Sequence, residues 1–267
     1  MKKFSILFLL LMSNQILAQK TKLIWADEFE KDGLPNPKNW SYDIGDHGWG
    51  NQELQYYSEA KLENARVKDG ILIIEAKTDS NYPKGYTSAR LVSKGKASWK
   101  YGYIEVKAKL PTGRGTWPAI WMLPEENKFG GWPSNGEIDI MEHVGFDPGK
   151  VHGTVHTEAF NHKIGTQKGG FIMVPEFNTE FHIYAIDWTK EKIDFYIDNS
   201  LYFTFDKSKD DYKEWPFDQA FHVILNIAVG GGWGGQQGID PNIWPQKMEI
   251  DYVRVYNQKP KITSLNK

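Results

Sequence analysis

Three carboxylates, those of Glu137, Asp139 and Glu142, lie within six residues whose other members are apolar. Successive side chains of a β-strand point to opposite faces, so Glu137 and Asp139 share one face. Ile138 and Ile140 share the other face, which has the character of a core face. Acids placed this densely in a strand with one apolar face indicate chemistry.

Strict alternation would place Glu142 on the apolar face, where an unpaired charge costs several kcal/mol. A β-bulge near Ile140 and Met141 would insert one extra residue and return Glu142 to the face of Glu137 and Asp139. The sequence therefore predicts three carboxylates in a row on one face of a bulged strand.

Carboxylates this close cannot all ionise at their ordinary pKa values, so at least one should stay protonated beside an ionised neighbour. Glycoside hydrolysis needs such a pair, with the groups about 5–5.5 Å apart in retaining enzymes and about 6.5–9.5 Å apart in inverting ones. The Glu137 and Glu142 backbones would lie about 13 Å apart, so both side chains must lean inward over the shorter Asp139. A metal cluster or a solvated acidic strand is the alternative for a bare E-x-D-x-x-E pattern.

The composition argues against some other classes of protein. The 267-residue chain has a formal net charge of -2, whereas a nucleic-acid-binding protein would show a basic stripe. It contains no Cys, so its fold must be held by a hydrophobic core, which one domain of this length can supply. We find no internal repeat, linker or second domain.

The N-terminus predicts a secretory signal peptide. Lys2 and Lys3 precede an apolar run over residues 4–12, and a short segment then leads to Ala18. Cleavage after Ala18 would remove residues 1–18 and leave a catalytic domain over residues 19–267. The apolar run is too short to span a bilayer, and no Cys follows it for a lipid anchor. We expect a periplasmic or secreted protein with no membrane attachment after cleavage.

Short alternating segments predict an all-β domain. Apolar and polar side chains alternate over residues 103–110 and 193–198, and Asp198-Asn199-Ser200 predicts a turn. Similar runs, separated by Gly, Pro, Asn and Asp, cover residues 71–77, 181–188, 221–229 and 248–256. No long amphipathic helix is predicted. Many short strands favour a β-jelly-roll sandwich of two antiparallel sheets.

The tryptophans favour a carbohydrate ligand. There are 11 of them, and most lie beside Gly, Pro or polar residues rather than in apolar runs. Flat aromatic rings stack on the CH-rich faces of pyranose sugars, while polar neighbours can hydrogen-bond the hydroxyl groups. A sugar-binding cleft would use both.

With these features the chain resembles a known family. The motif E-I-D-I-M-E is similar to the signature of family 16 glycoside hydrolases, in the bulged form of laminarinases and mixed-linkage β-glucanases. The resemblance covers roughly residues 23–256 and implies a concanavalin-like jelly roll with a concave sheet lining a cleft. It implies Glu137 as nucleophile, Glu142 as general acid/base and Asp139 as the group that tunes the pair, with retention of configuration.

The same resemblance implies a set of substrate-binding residues. Trp121 would be a stacking platform, with Trp117 beside it, and Trp132 would serve an adjacent subsite. For each Trp, core packing is a common alternative role, and an Asn in a Gly-rich loop is more often a turn residue. The full set is Asn51, Arg90, Trp117, Trp121, Trp132, His156, Asn226 and Trp233.

Three histidines lie close to the acidic motif. His152 and His156 share parity on the next predicted strand, so both face the same way. The resemblance favours His156 as a cleft residue near Glu142, where it would hold the acid/base carboxyl by a hydrogen bond. A structural role is an equal alternative for His152. His143 should face away from the acids.

A structural calcium ion is implied by the resemblance alone. The matching positions are Glu28, the backbone carbonyl of Gly70, and Asp251, on the convex face. Oxygen ligands suit calcium, but three dispersed residues form no motif, and ordinary surface acids are an equal alternative. Catalysis itself would need no cofactor.

Two functions from different classes follow. The first is a secreted, monomeric, endo-acting retaining β-glucanase that hydrolyses β-1,3-glucan (laminarin), mixed-linkage β-1,3/1,4-glucan, or both. The second is a non-catalytic glucan-binding module of the same fold, which would lack the acids, so the presence of Glu137 and Glu142 argues against it. A relative acting on another polysaccharide, such as an algal galactan, is a further alternative within the enzyme class.

Overall fold

Seventeen β-strands form the framework of residues 20–261, the part of the chain that the computed structural model describes. The predicted signal peptide lies outside the described residues. The strands are β1 (Leu23–Asp27), β2 (Ser41–Tyr42), β3 (Tyr56–Tyr57), β4 (Ala65–Lys68), β5 (Ile71–Thr78), β6 (Tyr86–Ser88), β7 (Arg90–Val92), β8 (Gly102–Lys109), β9 (Thr116–Pro124), β10 (Glu137–Glu142), β11 (Lys150–His156), β12 (Lys168–Met173), β13 (His182–Trp188), β14 (Lys192–Ile197), β15 (Ser200–Asp206), β16 (Phe221–Val229) and β17 (Gln246–Tyr256).

Helical structure is scarce in this part of the chain. One 3-10 turn covers His162–Ile164, and one short α-helix, α1, covers Gly231–Gly234. Within residues 20–261, no helix has the length and apolar character needed to cross a membrane.

The strands form two sheets. One has ten strands in the order β15-β14-β13-β8-β17-β5-β6-β3, with β1 beside β17 and β4 beside β5. The other has seven strands in the order β12-β11-β10-β9-β16-β7-β2. Neighbouring strands run antiparallel, except that β3 and β6 are parallel. The predicted all-β jelly-roll sandwich is confirmed, with this one short parallel pair as the departure.

Local sequence explains the strand ends. Asp198 and Asn199 have φ values of 48° and 69°, and β15 begins at the next residue. Asp and Asn tolerate positive φ, and a two-residue turn of this kind matches the twist of a hairpin. The predicted turn is confirmed, and β16 has the predicted bounds, 221–229. Strand β17 begins two residues before the predicted start at 248.

The hydrophobic core lies between the two sheets. Ile104 and Val106 of the ten-stranded sheet and Ile138 and Ile140 of the seven-stranded sheet are fully buried and belong to one apolar cluster. An antiparallel sheet that buries one face in a core can carry polar side chains on the other. The seven-stranded sheet, with β10 near its centre, therefore presents its opposite face to ligands.

Candidate active site

A β-bulge in β10 brings the three acids to one face. Between Asp139 and Glu142, three steps along β10 are matched by only two steps along β11, and the register with β9 shifts in the same place. Ile140 and Met141, the residues at the bulge, are both fully buried. The predicted bulge is confirmed, and it returns Glu142 to the cleft beside Asp139 and Glu137.

Two tryptophans orient the two glutamates. Nε1 of Trp132, in the loop before β10, donates a 2.9 Å hydrogen bond to Oε2 of Glu137. Nε1 of Trp117, on β9, donates a 3.0 Å hydrogen bond to Oε1 of Glu142. A hydrogen bond to a carboxylate fixes its orientation and favours its charged form. Both tryptophans therefore act on the acids as well as lining the cleft.

Asp139 is the most buried of the three acids, at 2% exposure. Burial, and then the charges of Glu137 and Glu142, raise the pKa of Asp139 well above its usual range. A hydrogen bond between Asp139 and Glu137 raises the pKa of Asp139 further and lowers that of Glu137. Asp139 therefore keeps its proton and donates the hydrogen bond to Glu137.

The two glutamates differ in how firmly they hold a proton. Burial raises the pKa of Glu137 to about 7, although its hydrogen bonds and the charge of Arg90 oppose the rise. Burial, and then the charge of Glu137, raise the pKa of Glu142 to about 8, although the Trp117 hydrogen bond opposes it. Glu137 is thus the first to ionise, and Glu142 stays protonated beside it near neutral pH.

His156 lies beside Glu137 and Asp139. Its Nε2 is 3.4 Å from Oδ2 of Asp139 and 3.8 Å from Oε1 of Glu137. The prediction that it holds the carboxyl of Glu142 is wrong, because the register of β11 pairs His156 with Glu137 and His152 with Glu142. Burial lowers the pKa of His156 to about 4, so its ring is neutral at neutral pH.

The same three residues raise the question of a metal site. Glu137, Asp139 and His156 offer ligand atoms within 4.8 Å of one another. A metal ion at this place would have to displace the proton that Asp139 donates to Glu137, because metal ligands are deprotonated. The proton between the two carboxyl groups favours acid/base and nucleophilic chemistry over metal binding.

The other two histidines lie on opposite sides of the sheet. His152 faces the cleft, as its shared parity with His156 predicts, and its ring lies 5.1 Å from that of Trp233. His143 is fully buried, and its Nε2 accepts a 3.1 Å hydrogen bond from the backbone N–H of Gly149. His143 faces away from the acids, as predicted, and burial lowers its pKa to about 4.

Arg90 is packed between two indole rings. Its guanidinium lies 4.6 Å from the ring centroids of both Trp49 and Trp121, and its Nε is 3.0 Å from Oδ2 of Asp43. Arg90 is only 8% exposed. It covers one face of Trp121, which we predicted to be a stacking platform.

Glu53 is a fourth cleft carboxylate, which the sequence analysis missed. It is 6% exposed and accepts hydrogen bonds from Gln55 Nε2 at 2.7 Å, Tyr57 Oη at 3.3 Å and Asn51 Nδ2 at 3.4 Å. Burial raises the pKa of Glu53, and its charge contributes to raising that of Glu142. The sequence signal that could have identified Glu53 is that it is a single acid in the otherwise uncharged polar loop around Asn51.

Asn226 links the floor of the cleft to the loop that carries Glu53. Its Oδ1 accepts a 2.7 Å hydrogen bond from Trp121 Nε1, and its Nδ2 donates a 3.0 Å hydrogen bond to Tyr57 Oη. The cleft has a volume of about 910 Å³. All the predicted catalytic and substrate-binding residues line it, namely Asn51, Arg90, Trp117, Trp121, Trp132, Glu137, Asp139, Glu142, His156, Asn226 and Trp233.

The residues predicted to hold calcium are engaged otherwise. Arg254 donates hydrogen bonds of 2.7 and 2.9 Å to the two carboxylate oxygens of Glu28, and Oδ2 of Asp251 lies 2.8 Å from Nζ of Lys107. Gly70 lies in the turn between β4 and β5, with φ of 77°. Basic side chains compensate both carboxylates in this arrangement, and calcium binding at these positions stays a prediction.

A β-sandwich whose seven-stranded sheet carries paired carboxylates in a tryptophan-lined cleft has the fold and site of a polysaccharide-cleaving glycoside hydrolase. Residues 48–254 match the family model described as "Glycosyl hydrolases family 16". The chain belongs to this family.

Relatives with known names support the family assignment. The chain is 60% identical over 242 residues to "Beta-glucanase" of Rhodothermus marinus, with 88% of this chain and 85% of that protein covered. The solved structure of the laminarinase from Rhodothermus marinus superposes with a TM-score of 0.87 at 59% identity, covering 90% of this chain and 99% of that one. A variant of SCLam, a non-specific endo-β-1,3(4)-glucanase co-crystallised with 1,3-β-D-cellotriosyl-glucose, gives a TM-score of 0.85 at 48% identity, covering 90% and 95%.

Proposed function

We propose that this protein is an endo-acting, retaining β-glucanase that hydrolyses β-1,3-glucan, with mixed-linkage β-1,3/1,4-glucan as a second substrate. The observation that carries the proposal is the row of Glu137, Asp139 and Glu142 on one face of β10, with one glutamate held by Trp132 and the other by Trp117. The names of the relatives point to the same substrates.

In the first step, the ionised carboxylate of Glu137 attacks the anomeric carbon, and protonated Glu142 gives its proton to the departing glycosidic oxygen. The hydrogen bond from Asp139 lowers the pKa of Glu137 and keeps the attacking group ionised. A glycosyl ester forms on Glu137, and the leaving part of the chain departs with a new hydroxyl group.

The second step depends on the loss of the negative charge of Glu137 in the first step. Formation of the ester removes the negative charge of Glu137, which is one of the causes that raise the pKa of Glu142. The pKa of Glu142 therefore falls, and its carboxylate can accept a proton from water. The water oxygen attacks the anomeric carbon and releases Glu137, so two inversions at one carbon retain its configuration.

The cleft extends to both sides of the acids. Arg90 and Asn226 line it from β7 and β16 on one side of β10, and His152 and Thr154 line it from β11 on the other. A glucan chain can therefore bind with the cleaved bond in its interior, which supports endo action. The chemistry uses carboxyl groups and water alone, so it requires no cofactor.

Product analysis on laminarin, mixed-linkage glucan, agarose and cellulose tests this function. We expect oligosaccharides from laminarin at the highest rate, fewer from mixed-linkage glucan, and none from agarose or cellulose. Proton NMR of fresh digests should show the β-anomer first. Release of single terminal sugars would contradict endo action, and the α-anomer would contradict retention. Binding of laminarin without hydrolysis would favour the non-catalytic module.

We also propose that the protein is exported, released by cleavage after Ala18, and monomeric. The two lysines, the short apolar run and the residues before Gln19 support this route. Mass spectrometry of the mature protein from the periplasm or medium should find Gln19 as the first residue, and light scattering should give the mass of one chain. An uncleaved N-terminus in the exported protein would contradict the processing.

A further inference from the structure

One large aromatic side chain lies on the seven-stranded sheet outside the cleft described above. Phe171, on the edge strand β12, is 57% exposed, and Met173, two residues further along the same face, is 56% exposed. Exposed apolar side chains that adjoin one another commonly mark a binding surface. The position of this surface relative to the catalytic acids indicates which ligand it binds.

The strand register places Phe171 on the same face as the catalytic acids. Glu142 of β10 lies opposite His152 of β11, and His152 lies opposite Phe171 of β12. Side chains directly opposite in antiparallel strands point to the same face, and neighbouring strands are about 4.8 Å apart. Phe171 therefore lies about 10 Å across the sheet from Glu142.

A row of rings connects Phe171 to the active site. The ring centroids of Trp117 and Trp233 are 5.5 Å apart, those of Trp233 and His152 are 5.1 Å apart, and those of His152 and Phe171 are 5.9 Å apart. Trp117 itself donates to Glu142. The aromatic surface is thus continuous from the acid/base residue to the edge of the sheet.

The residues around Phe171 suit a neutral polyhydroxylated chain. Nζ of Lys150 lies 4.5 Å from the ring centroid of Phe171, over one face of the ring, and still offers a hydrogen-bond donor there. Its charge is paired with Oδ2 of Asp147 at 3.3 Å. Gly169 pairs with Thr154, and a Cβ at Gly169 would lie 2.7 Å from the carbonyl oxygen of Gly153. The absence of a side chain at Gly169 leaves Thr154, a cleft residue, accessible beside Phe171.

We propose that Phe171 is the stacking platform of a distal subsite, which binds a sugar unit of the β-glucan on the β12 side of the cleaved bond. This inference rests on the proposed function. Continuity with the cleft through Trp233 and His152 identifies the occupant as the same polysaccharide chain. Phe171 thereby determines how strongly the enzyme prefers long substrates over short ones.

Steady-state kinetics of Phe171→Ala on laminarin and on a ladder of laminari-oligosaccharides tests the proposal. We expect KM for laminarin to rise about fivefold, because a partly buried aromatic contact is lost. The loss in kcat/KM should shrink as the oligosaccharide shortens and no longer reaches β12. Phe171→Trp should retain the preference for long chains, whereas Phe171→Leu should lose it.

Leu201→Ala is the matched control, since Leu201 is 53% exposed on β15 of the other sheet. If Phe171→Ala matches both the control and the wild type at every chain length, the distal subsite is overturned. A dimer that dissociates in Phe171→Ala without a change in kinetics would also overturn it and assign the surface to a second copy. A wild-type protein that hydrolyses no β-glucan would instead overturn the proposed function.

Discussion

The indole N–H of Trp117 donates a 3.0 Å hydrogen bond to Glu142, and Trp132 makes the corresponding 2.9 Å bond to Glu137. Each bond lowers the pKa of its carboxyl group against the raising effect of burial. The two acids therefore have separate donors. Each donor therefore acts mainly on one limb of the pH–activity profile, although the charge of Glu137 also contributes to the pKa of Glu142.

Replacing each indole by a phenyl ring should shift mainly one limb. Trp132→Phe raises the pKa of Glu137, which must ionise to attack, so the acidic limb of kcat/KM should move up by about one pH unit. Trp117→Phe raises the pKa of Glu142, which must be protonated, so the alkaline limb should move up by a similar amount. The measurement is kcat/KM on laminarin as a function of pH.

Trp215→Phe is the control for these two variants, because Trp215 donates its indole N–H to Asp218 instead of to a cleft acid. It should leave both limbs in place. An equal shift of both limbs in Trp132→Phe or in Trp117→Phe would show that the two glutamates are not tuned separately.

Glu137→Gln and Glu142→Gln should each lower kcat by several orders of magnitude while leaving laminarin binding largely intact. The amide keeps the shape of the side chain but can neither attack nor transfer the proton. Glu180→Gln, a change at an exposed acid, should have no effect. Stopped-assay kinetics measure kcat, and calorimetric titration measures laminarin binding. Near-normal hydrolysis in Glu137→Gln or Glu142→Gln would refute the assigned roles.

Asp139→Asn should be milder than Asp139→Ala. Asn retains an N–H donor toward Glu137, whereas Ala removes the hydrogen bond that lowers the pKa of Glu137. The acidic limb should therefore move to higher pH in Asp139→Ala and move less in Asp139→Asn. Equal shifts in the two variants would show that Asp139 does not act by donating a hydrogen bond.

Glu142 should make the protein less stable at alkaline pH. Burial raises its pKa in the folded state to about 8, so the folded state binds this proton more tightly than the unfolded chain does. Folding stability is then lost as the pH rises from about 4.3, the unfolded value, through the folded value. Glu142→Gln should raise Tm over the wild type clearly at about pH 8 and little at about pH 4.

Calorimetric scans of the wild type, Glu142→Gln and Glu180→Gln at both pH values measure this difference. Glu180→Gln should follow the wild type at each pH. A gain in Tm for Glu142→Gln that is equal at both pH values would mean that the folded state does not hold the proton of Glu142.

The alternation of side chains along a strand was enough to predict the central feature of the site, which is the three carboxylates on one face of the bulged strand β10. Because strand side chains alternate strictly, the spacing of Glu137, Asp139 and Glu142 required a bulge, and the register around Ile140 and Met141 contains it. Alternation also predicted the strands, since each face of a strand meets one environment. These are local properties, which the order of residues determines directly.

Contacts between residues of different strands and loops were harder to predict from the sequence. The position of His156 beside Glu137 depends on how far β11 is shifted against β10, and no local pattern specifies that shift. The packing of Arg90 between Trp49 and Trp121 joins three separate segments. Glu53 lies in a loop, where alternation gives no information about which side chains face the cleft.

The most direct test of the account is to trap the glycosyl-enzyme. A laminari-oligosaccharyl fluoride that carries a second fluorine on its reducing-end sugar should form the glycosyl ester, which then hydrolyses very slowly. Peptide mass spectrometry of the trapped enzyme identifies the residue that carries the sugar. We predict one adduct, on Glu137, and none in Glu137→Gln. An adduct on Glu142, or active enzyme that forms no adduct and yields the α-anomer, would contradict the assignment of Glu137 as the nucleophile of a retaining enzyme.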